Sequence, residues 1–217
     1  MGSREGIFLS LEGGEGSGKT TQLRRIAGYM RSLGREVLET REPGGTEVGE
    51  RIREILLARA SALHPRAELA LYLASRAQLV ESVIRPALAR GADVVCDRFM
   101  DSSTAYQGGG RELGFSAVEQ LNDWAVAGIK PHLTLYFDVD ASTGLQRREA
   151  GSGGRESLDR MEREPLAFHE KVRSAFREIE ERDPERFRIV RVEGSEEAVW
   201  EQAHRILEDF LQGRRGQ

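Results

Sequence analysis

Short apolar runs alternate with longer stretches whose apolar residues recur at helical spacing, and the alternation continues through the whole chain. Residues 7–11, Ile-Phe-Leu-Ser-Leu, are short and apolar enough for a buried strand. Residues 21–30 follow, with Leu23, Ile26, Ala27 and Met30 on one helical face. Strand-like runs recur at 35–40, 92–97, 133–137 and 187–192. Helical patterns fill 47–59, where Val48, Ile52, Ile55 and Leu56 share a face, and 67–90, where Pro86 predicts a kink or break. Further helices are predicted over 116–127, 142–149, 163–182 and 196–211. The stretch 98–110 is polar and ends in glycine, and residues 150–154 interrupt the helix before them. Strands alternating with helices predict an α/β fold, a mostly parallel sheet of about five strands flanked by helices. No internal repeat or linker divides the 217 residues, so one domain is expected.

Composition narrows the class. Charged residues are 31% and hydrophobic residues 39%, proportions of a soluble globular protein. A formal net charge of −4 argues against a broad nucleic-acid surface, so an anionic ligand must be met by local arginine and lysine. The single cysteine, Cys96, rules out an internal disulfide and fits a reducing compartment. No apolar run approaches the ~20 residues of a membrane span, and residues 1–6 lack the apolar core of a signal peptide. A cytoplasmic protein is expected. His64, His132, His169 and His204 do not cluster at ligand spacing, so no zinc site is expected.

The chemistry lies first between the strand at 7–11 and the helix at 21–30. Gly13-Gly14-Glu15-Gly16-Ser17-Gly18-Lys19-Thr20, followed by Thr21, fits the phosphate-cradling P-loop pattern G-x-x-x-x-G-K-[ST]. Glycines let the backbone curl with its amides inward, and the helix N-terminus adds positive potential. Lys19 would reach the outer phosphates and the Thr20 hydroxyl would ligate Mg²⁺. The alternative is a glycine-rich surface turn, and the correct strand and helix flanks weigh against it.

A second anion site faces the loop. Arg41 closes the second strand, before Glu42-Pro43-Gly44-Gly45-Thr46, and Asp97 and Arg98 close the third. Carboxyl ends of strands are where open α/β sheets bind ligands. Any one arginine is ordinarily a solvated charge; two at strand ends beside a P-loop point to phosphate. Residues 151–160 are glycine-rich and arginine-dense, as a lid requires. A GTPase switch would need Asn-Lys-x-Asp after a late strand, and Asp138-Val139-Asp140 stands there instead. A small kinase that moves phosphate to a second small molecule fits best.

Residues 12–21 together with Thr40-Arg41-Glu42-Pro43-Gly44-Gly45-Thr46, Asp97-Arg98-Phe99 and Ala105-Tyr106-Gln107-Gly108-Gly109-Gly110 resemble bacterial thymidylate kinase, from about residue 7 to the last helix. The resemblance implies a P-loop NTPase three-layer fold with a short lid at about 148–162. It implies transfer of the γ-phosphoryl of ATP to dTMP with Mg²⁺, in a homodimer. A kinase for another pyrimidine monophosphate, or a nucleotide-gated switch, are the alternatives.

The resemblance also implies roles. Glu15 matches a carboxylate near the 3′-hydroxyl and the metal. Arg98 would clamp the dTMP phosphate, with Arg41 as a further candidate, and Asp97 would order Mg²⁺ through water; a helix cap is the other reading of Asp97. Tyr72 and Arg76, four apart on one helical face, match a ring stacked on thymine and an arginine bonding its O4. The family's usual phenylalanine is here a tyrosine, whose hydroxyl needs a partner. Ser103 stands near the base N3, or is simply an N-cap. Tyr106, with Gln107, would pack under the deoxyribose and exclude a 2′-hydroxyl. The loop carries no arginine, so Arg155 in the lid matches the catalytic arginine. Arg160 would contact phosphate or pair with Asp159 or Glu164. Arg147 matches the arginine stacked on adenine, with Glu193-Gly194-Ser195 on the ring's other side.

Overall fold

A computed structural model describes residues 6–214. The five predicted strands all form: β1 Phe8–Gly13, β2 Val37–Arg41, β3 Asp93–Asp97, β4 Leu133–Asp138 and β5 Phe187–Arg191. They make one parallel sheet in the order β2-β3-β1-β4-β5. β1 and β4 are buried at every position, because helices cover both faces of the sheet. Leu9 and Leu11 of β1 join Leu135 and Phe137 of β4 under α1 (Lys19–Ser32) and α9 (Glu196–Gly213). Phe8, Val94 and Cys96 face the other side, and Tyr136 and Phe187 pack there against Phe176 of α8 (Leu166–Arg182). The chain leaves β1 toward β2 and β3, then crosses to β4 and β5 on its other side. The carboxyl end of β1 is therefore the switch point of the sheet, where a ligand crevice opens.

The predicted helix at 67–90 is three pieces. α3 (Pro65–Leu79) runs into a π-helical turn at Val80–Ile84, then α4 (Arg85–Ala89). Pro86 cannot donate to the carbonyl four residues back, and the wider turn upstream, where the Arg85 amide reaches the Val80 carbonyl, absorbs the misfit. Within the polar stretch 98–110, residues 100–110 are helical: α5 (Met100–Ser103) continues into a π-helical segment, Thr104–Gly110. Its glycines are there for space. A Cβ on Gly109 would come within 2.6 Å of Ala175 Cβ, and one on Gly110 within 2.7 Å of the Phe168 ring, both on α8. α8 begins at Leu166, after Pro165, rather than at 163. α2 spans Glu47–Leu57, α6 Phe115–Val126 and α7 Ala141–Ser152. Asp140 caps α7 through the Thr143 amide, Ser195 caps α9, and Asp138 pairs with Arg173 and Arg177 of α8.

Candidate active site

The loop after β1 curls tightly because neighbouring backbone leaves no room. A Cβ on Gly16 would lie 2.1 Å from the Gly144 carbonyl of α7, and φ there is +62°. Thr46, Asp140 and Ser195 cap α2, α7 and α9 with their side chains; α1 begins at Gly18 with no side-chain cap and no acidic residue in its first turn. Its amides are thus left for an anion. Lys19 is buried, and its Nζ donates to the carbonyls of Gly13 and Gly14, both at 3.0 Å. Burial and the nearby Arg98 push its ammonium pKa down.

Arg98 occupies a left-handed backbone conformation, φ +67°, uncommon for a residue with a Cβ. That turn directs its guanidinium across the mouth of the P-loop. It donates to the Gly13 carbonyl at 2.9 Å and to Glu15 Oε1 at 2.8 Å, and lies 5.2 Å over the Tyr106 ring. The Tyr106 hydroxyl meets the same Glu15 oxygen at 3.4 Å. Burial alone would raise the Glu15 pKa; Arg98 and Lys19 outweigh it and hold the carboxyl below its ordinary range.

Asp97 Oδ2 accepts from the Thr20 hydroxyl at 3.5 Å, while its Oδ1 is buried without a hydrogen-bond partner. A hydroxyl and a half-satisfied carboxylate side by side are an oxygen donor set suited to a hard cation with bound water.

These groups open onto one cavity of about 420 Å³. Residues 15–20 form one wall, with Asp97 and Arg98 beside them; Tyr72, Ser103, Tyr106 and Gln107 form the other. Burial raises the Tyr72 hydroxyl to about 12, so it stays protonated. Gln107 is fixed from behind by Glu68, to which it donates at 2.8 Å.

Among the predicted residues, Gly13, Gly14, Arg41, Arg147 and Arg76 do not line the cavity. Arg41 pairs with Glu50 at 3.0 Å in an exposed position. Arg147 stands beside the P-loop, its Cβ 3.1 Å from where a Cβ on Gly16 would be. Arg76 is only 1% exposed and lies beneath the floor. Its guanidinium donates to Glu42, to Asn122 Oδ1, to the Phe99 carbonyl and to Ser103 Oγ. Ser103 thereby stands between Arg76 and the cavity; it precedes the π-helical segment but makes no side-chain cap, its hydroxyl accepting from Arg76 instead. The side chain of Arg155 lies outside the described residues; its backbone belongs to a short turn, Arg155–Ser157. Arg160 pairs with neither Asp159 nor Glu164. It reaches back to Glu68 at 2.7 Å and to the Leu56 carbonyl at 2.8 Å, because the lid folds onto the end of α2 and the start of α3.

Two arginines not expected from the sequence also line the cavity: Arg53, which donates to the Pro43 carbonyl, and Arg148, which pairs with Glu162. Nothing local separates Arg53 from exposed Arg51. Glu12, likewise unexpected, is buried behind the loop, accepts from the amides of Phe99 at 2.8 Å and Ser102 at 3.3 Å and so holds the start of α5. Burial, then the charge of Asp101, raises its carboxyl to about 8. A charged residue directly before two glycines and after an apolar strand was the available signal.

A parallel sheet with a P-loop at its switch point, opening with Arg98 onto one cavity, is the α/β architecture of P-loop nucleotide-binding proteins. The thymidylate kinase family profile matches residues 11–203. The chain is 46% identical to the thymidylate kinase of Deinococcus radiodurans over 186 residues, 86% of this chain and 88% of that protein. It is 47% identical to that of Solidesulfovibrio magneticus over 209 residues, 94% and 100% of the two chains. The crystal structure of thymidylate kinase from Ehrlichia chaffeensis superimposes with a TM-score of 0.75 at 31% identity, covering 94% of this chain and 99% of that one. The chain belongs to the thymidylate kinase family.

Proposed function

We propose that this chain transfers the γ-phosphoryl of ATP to dTMP with Mg²⁺, giving dTDP and ADP. The observation that carries the reading is the cavity itself, where the P-loop faces a pocket lined by Tyr72, Ser103, Tyr106 and Gln107, with Arg98 at the junction. ATP would lie with its phosphates over the amides of residues 13–21 and its adenine toward Arg147. Its β- and γ-phosphates would draw Lys19 away from the loop carbonyls. dTMP would stack on Tyr72, with Tyr106 beneath its sugar.

A phosphate monoester is already ionised near neutral pH, so the acceptor oxygen needs no general base. The chain's task is then alignment and charge neutralisation. Arg98 sits where donor and acceptor phosphates would meet, already oriented by Gly13 and Glu15. Thr20 and Asp97 would hold Mg²⁺, which neutralises charge on the phosphates when bound. Arg155 would complete the site from the lid, as the resemblance implies. Arg41, Arg53 and Arg76 would act around it: Arg53 at the wall, Arg41 as a long-range charge, and Arg76 through Ser103.

We further propose that residues 1–217 act as a single kinase domain, that it pairs as a homodimer, and that it works in the cytoplasm. Leu121 and Trp124 on α6, 45% and 75% exposed, support pairing; sedimentation of the pure protein at one chain's mass would refute it. No described helix is long and apolar enough to cross a membrane.

The test of function is ADP release with ATP, Mg²⁺ and each nucleoside monophosphate in turn. Release should depend on dTMP. Release that depends instead on another monophosphate, or on none, would refute the proposal.

A further inference from the structure

One buried carboxylate ties three separate parts of the site together. Glu68 lies in the first turn of α3, one turn before Tyr72, with no exposed side-chain surface. Its Oε1 accepts from Gln107 Nε2 at 2.8 Å and Arg111 Nε at 3.2 Å. Its Oε2 meets Arg111 at 3.1 Å and Arg160 at 2.7 Å. Gln107 belongs to the cavity wall and Arg160 to the lid. Arg111 links both to Glu164, at 2.5 Å, where the lid re-enters the fold, and lies 4.6 Å over the Phe168 ring. Burial would raise the Glu68 carboxyl, but hydrogen bonds from Arg111 and Gln107 outweigh it and the group stays ionised.

An anchor for α3 alone would need one partner. This carboxylate instead gathers one group from the acceptor wall and two guanidinium groups that hold the lid. It touches neither the cavity nor the P-loop. One NH₂ of Arg160 is buried without a partner, so Arg160 is held by Glu68 and the Leu56 carbonyl, while Arg59 makes a separate hold on the lid through the Leu158 carbonyl at 3.0 Å.

We infer that Glu68 is a positioning residue that couples occupancy of the acceptor pocket to ordering of the lid. A nucleotide seated against Tyr72 and Gln107 packs on Gln107 from the cavity side and reinforces the bond it already makes to Glu68. Gln107 then holds the Glu68 carboxylate in place, and the carboxylate in turn holds Arg160 and, through Arg111, Glu164. The lid then closes on the donor nucleotide only when an acceptor is present, which limits loss of the γ-phosphoryl to water. This inference rests on the proposed dTMP site.

The test is hydrogen exchange of the full chain with dTMP alone, no ATP being present, with dTMP binding measured in parallel by calorimetry. In the wild type, dTMP should slow exchange of the amides at 157–164 about tenfold. Glu68→Gln should still bind dTMP, with that slowing reduced to less than twofold. Acceptor-independent ADP release should rise severalfold relative to dTMP-dependent release. Glu164→Gln, a partly exposed position that removes only one of the links, should lose about half of the slowing and serves if Glu68→Gln does not fold. Wild type that binds dTMP without slowing, or variants that keep the wild-type slowing, would overturn the coupling. Wild type that does not bind dTMP at all would overturn the functional reading as well.

Discussion

The wall formed by residues 15–20 and the wall formed by Tyr72, Ser103, Tyr106 and Gln107 enclose the same cavity by different means. The first is backbone: one loop and the uncapped start of α1. The second is side chain, brought from α3, α5 and the π-helical segment and held from behind by buried charge. A backbone cradle recognises what all nucleoside triphosphates share, their phosphates. A pocket of side chains can be fitted to one base and one sugar. Arg98 belongs to both, bonded to the Gly13 carbonyl and lying over Tyr106.

If catalysis is shared between these walls and the lid, removing the lid's arginine should cost most. Arg155→Ala should lower turnover by ~10³-fold or more, as for arginine fingers, with dTMP affinity little changed. Turnover within threefold of wild type would remove Arg155 from the chemistry.

The side-chain wall should be fragile where the backbone wall is not. Arg76→Met breaks a buried pair with Glu42, 2.7 Å apart. The loss, read by urea unfolding at pH 7, should be about 3 kcal/mol, the low end for breaking a buried pair. Glu42 limits the damage, because burial already raises its carboxyl to about 7, against the pull of Arg76, and it will take up a proton. A change within 0.5 kcal/mol, the ordinary range for an exposed site, would show that the network is not structural.

Sugar discrimination should sit in the same wall. Tyr106→Ala should narrow the preference for dTMP over ribo-TMP by about tenfold in kcat/KM, roughly the value of one lost packing contact. An unchanged preference would free Tyr106 from that role.

The smallest effect concerns Glu12, behind the backbone wall. Its folded pKa of about 8 lies above the ordinary 4.5, so the folded chain keeps a proton that the unfolded chain releases. Its contribution is full below about pH 4.5 and is lost as pH rises through 8. Glu42 behaves alike but is spent near pH 7. Between pH 7 and 8 wild-type stability should fall, by at most about 1.4 kcal/mol per pH unit. Glu12→Gln should flatten that interval, and an unchanged slope would contradict the assignment.

The same contrast explains what could be read from the sequence. The P-loop was legible because its function is local: eight consecutive residues make the cradle, and strand and helix patterns flank it. The parallel sheet was legible because its strands are buried on both faces and read as apolar runs. The π-helical turn before Pro86 and the helical state of residues 100–110 were not, since π-helical turns have no short-range sequence mark and here depend on Pro86 and on α8 pressing against Gly109 and Gly110. The acceptor wall was legible only through resemblance. Glu68, Arg53 and Glu12 act through partners 39 to 90 residues away or through a loop carbonyl, as in Gln107 with Glu68 and Ser102 with Glu12, and spacing along the chain does not announce such pairs.

Calorimetric titration of dTMP into wild type and Arg98→Ala tests most directly whether Arg98 receives the acceptor phosphate against the P-loop. Wild type should bind one dTMP per chain, and the variant about 100-fold more weakly or worse, the cost of removing one partner from a buried charge pair. Equal affinity in the two proteins, or no dTMP binding by wild type even with a nucleotide in the P-loop, would contradict the account.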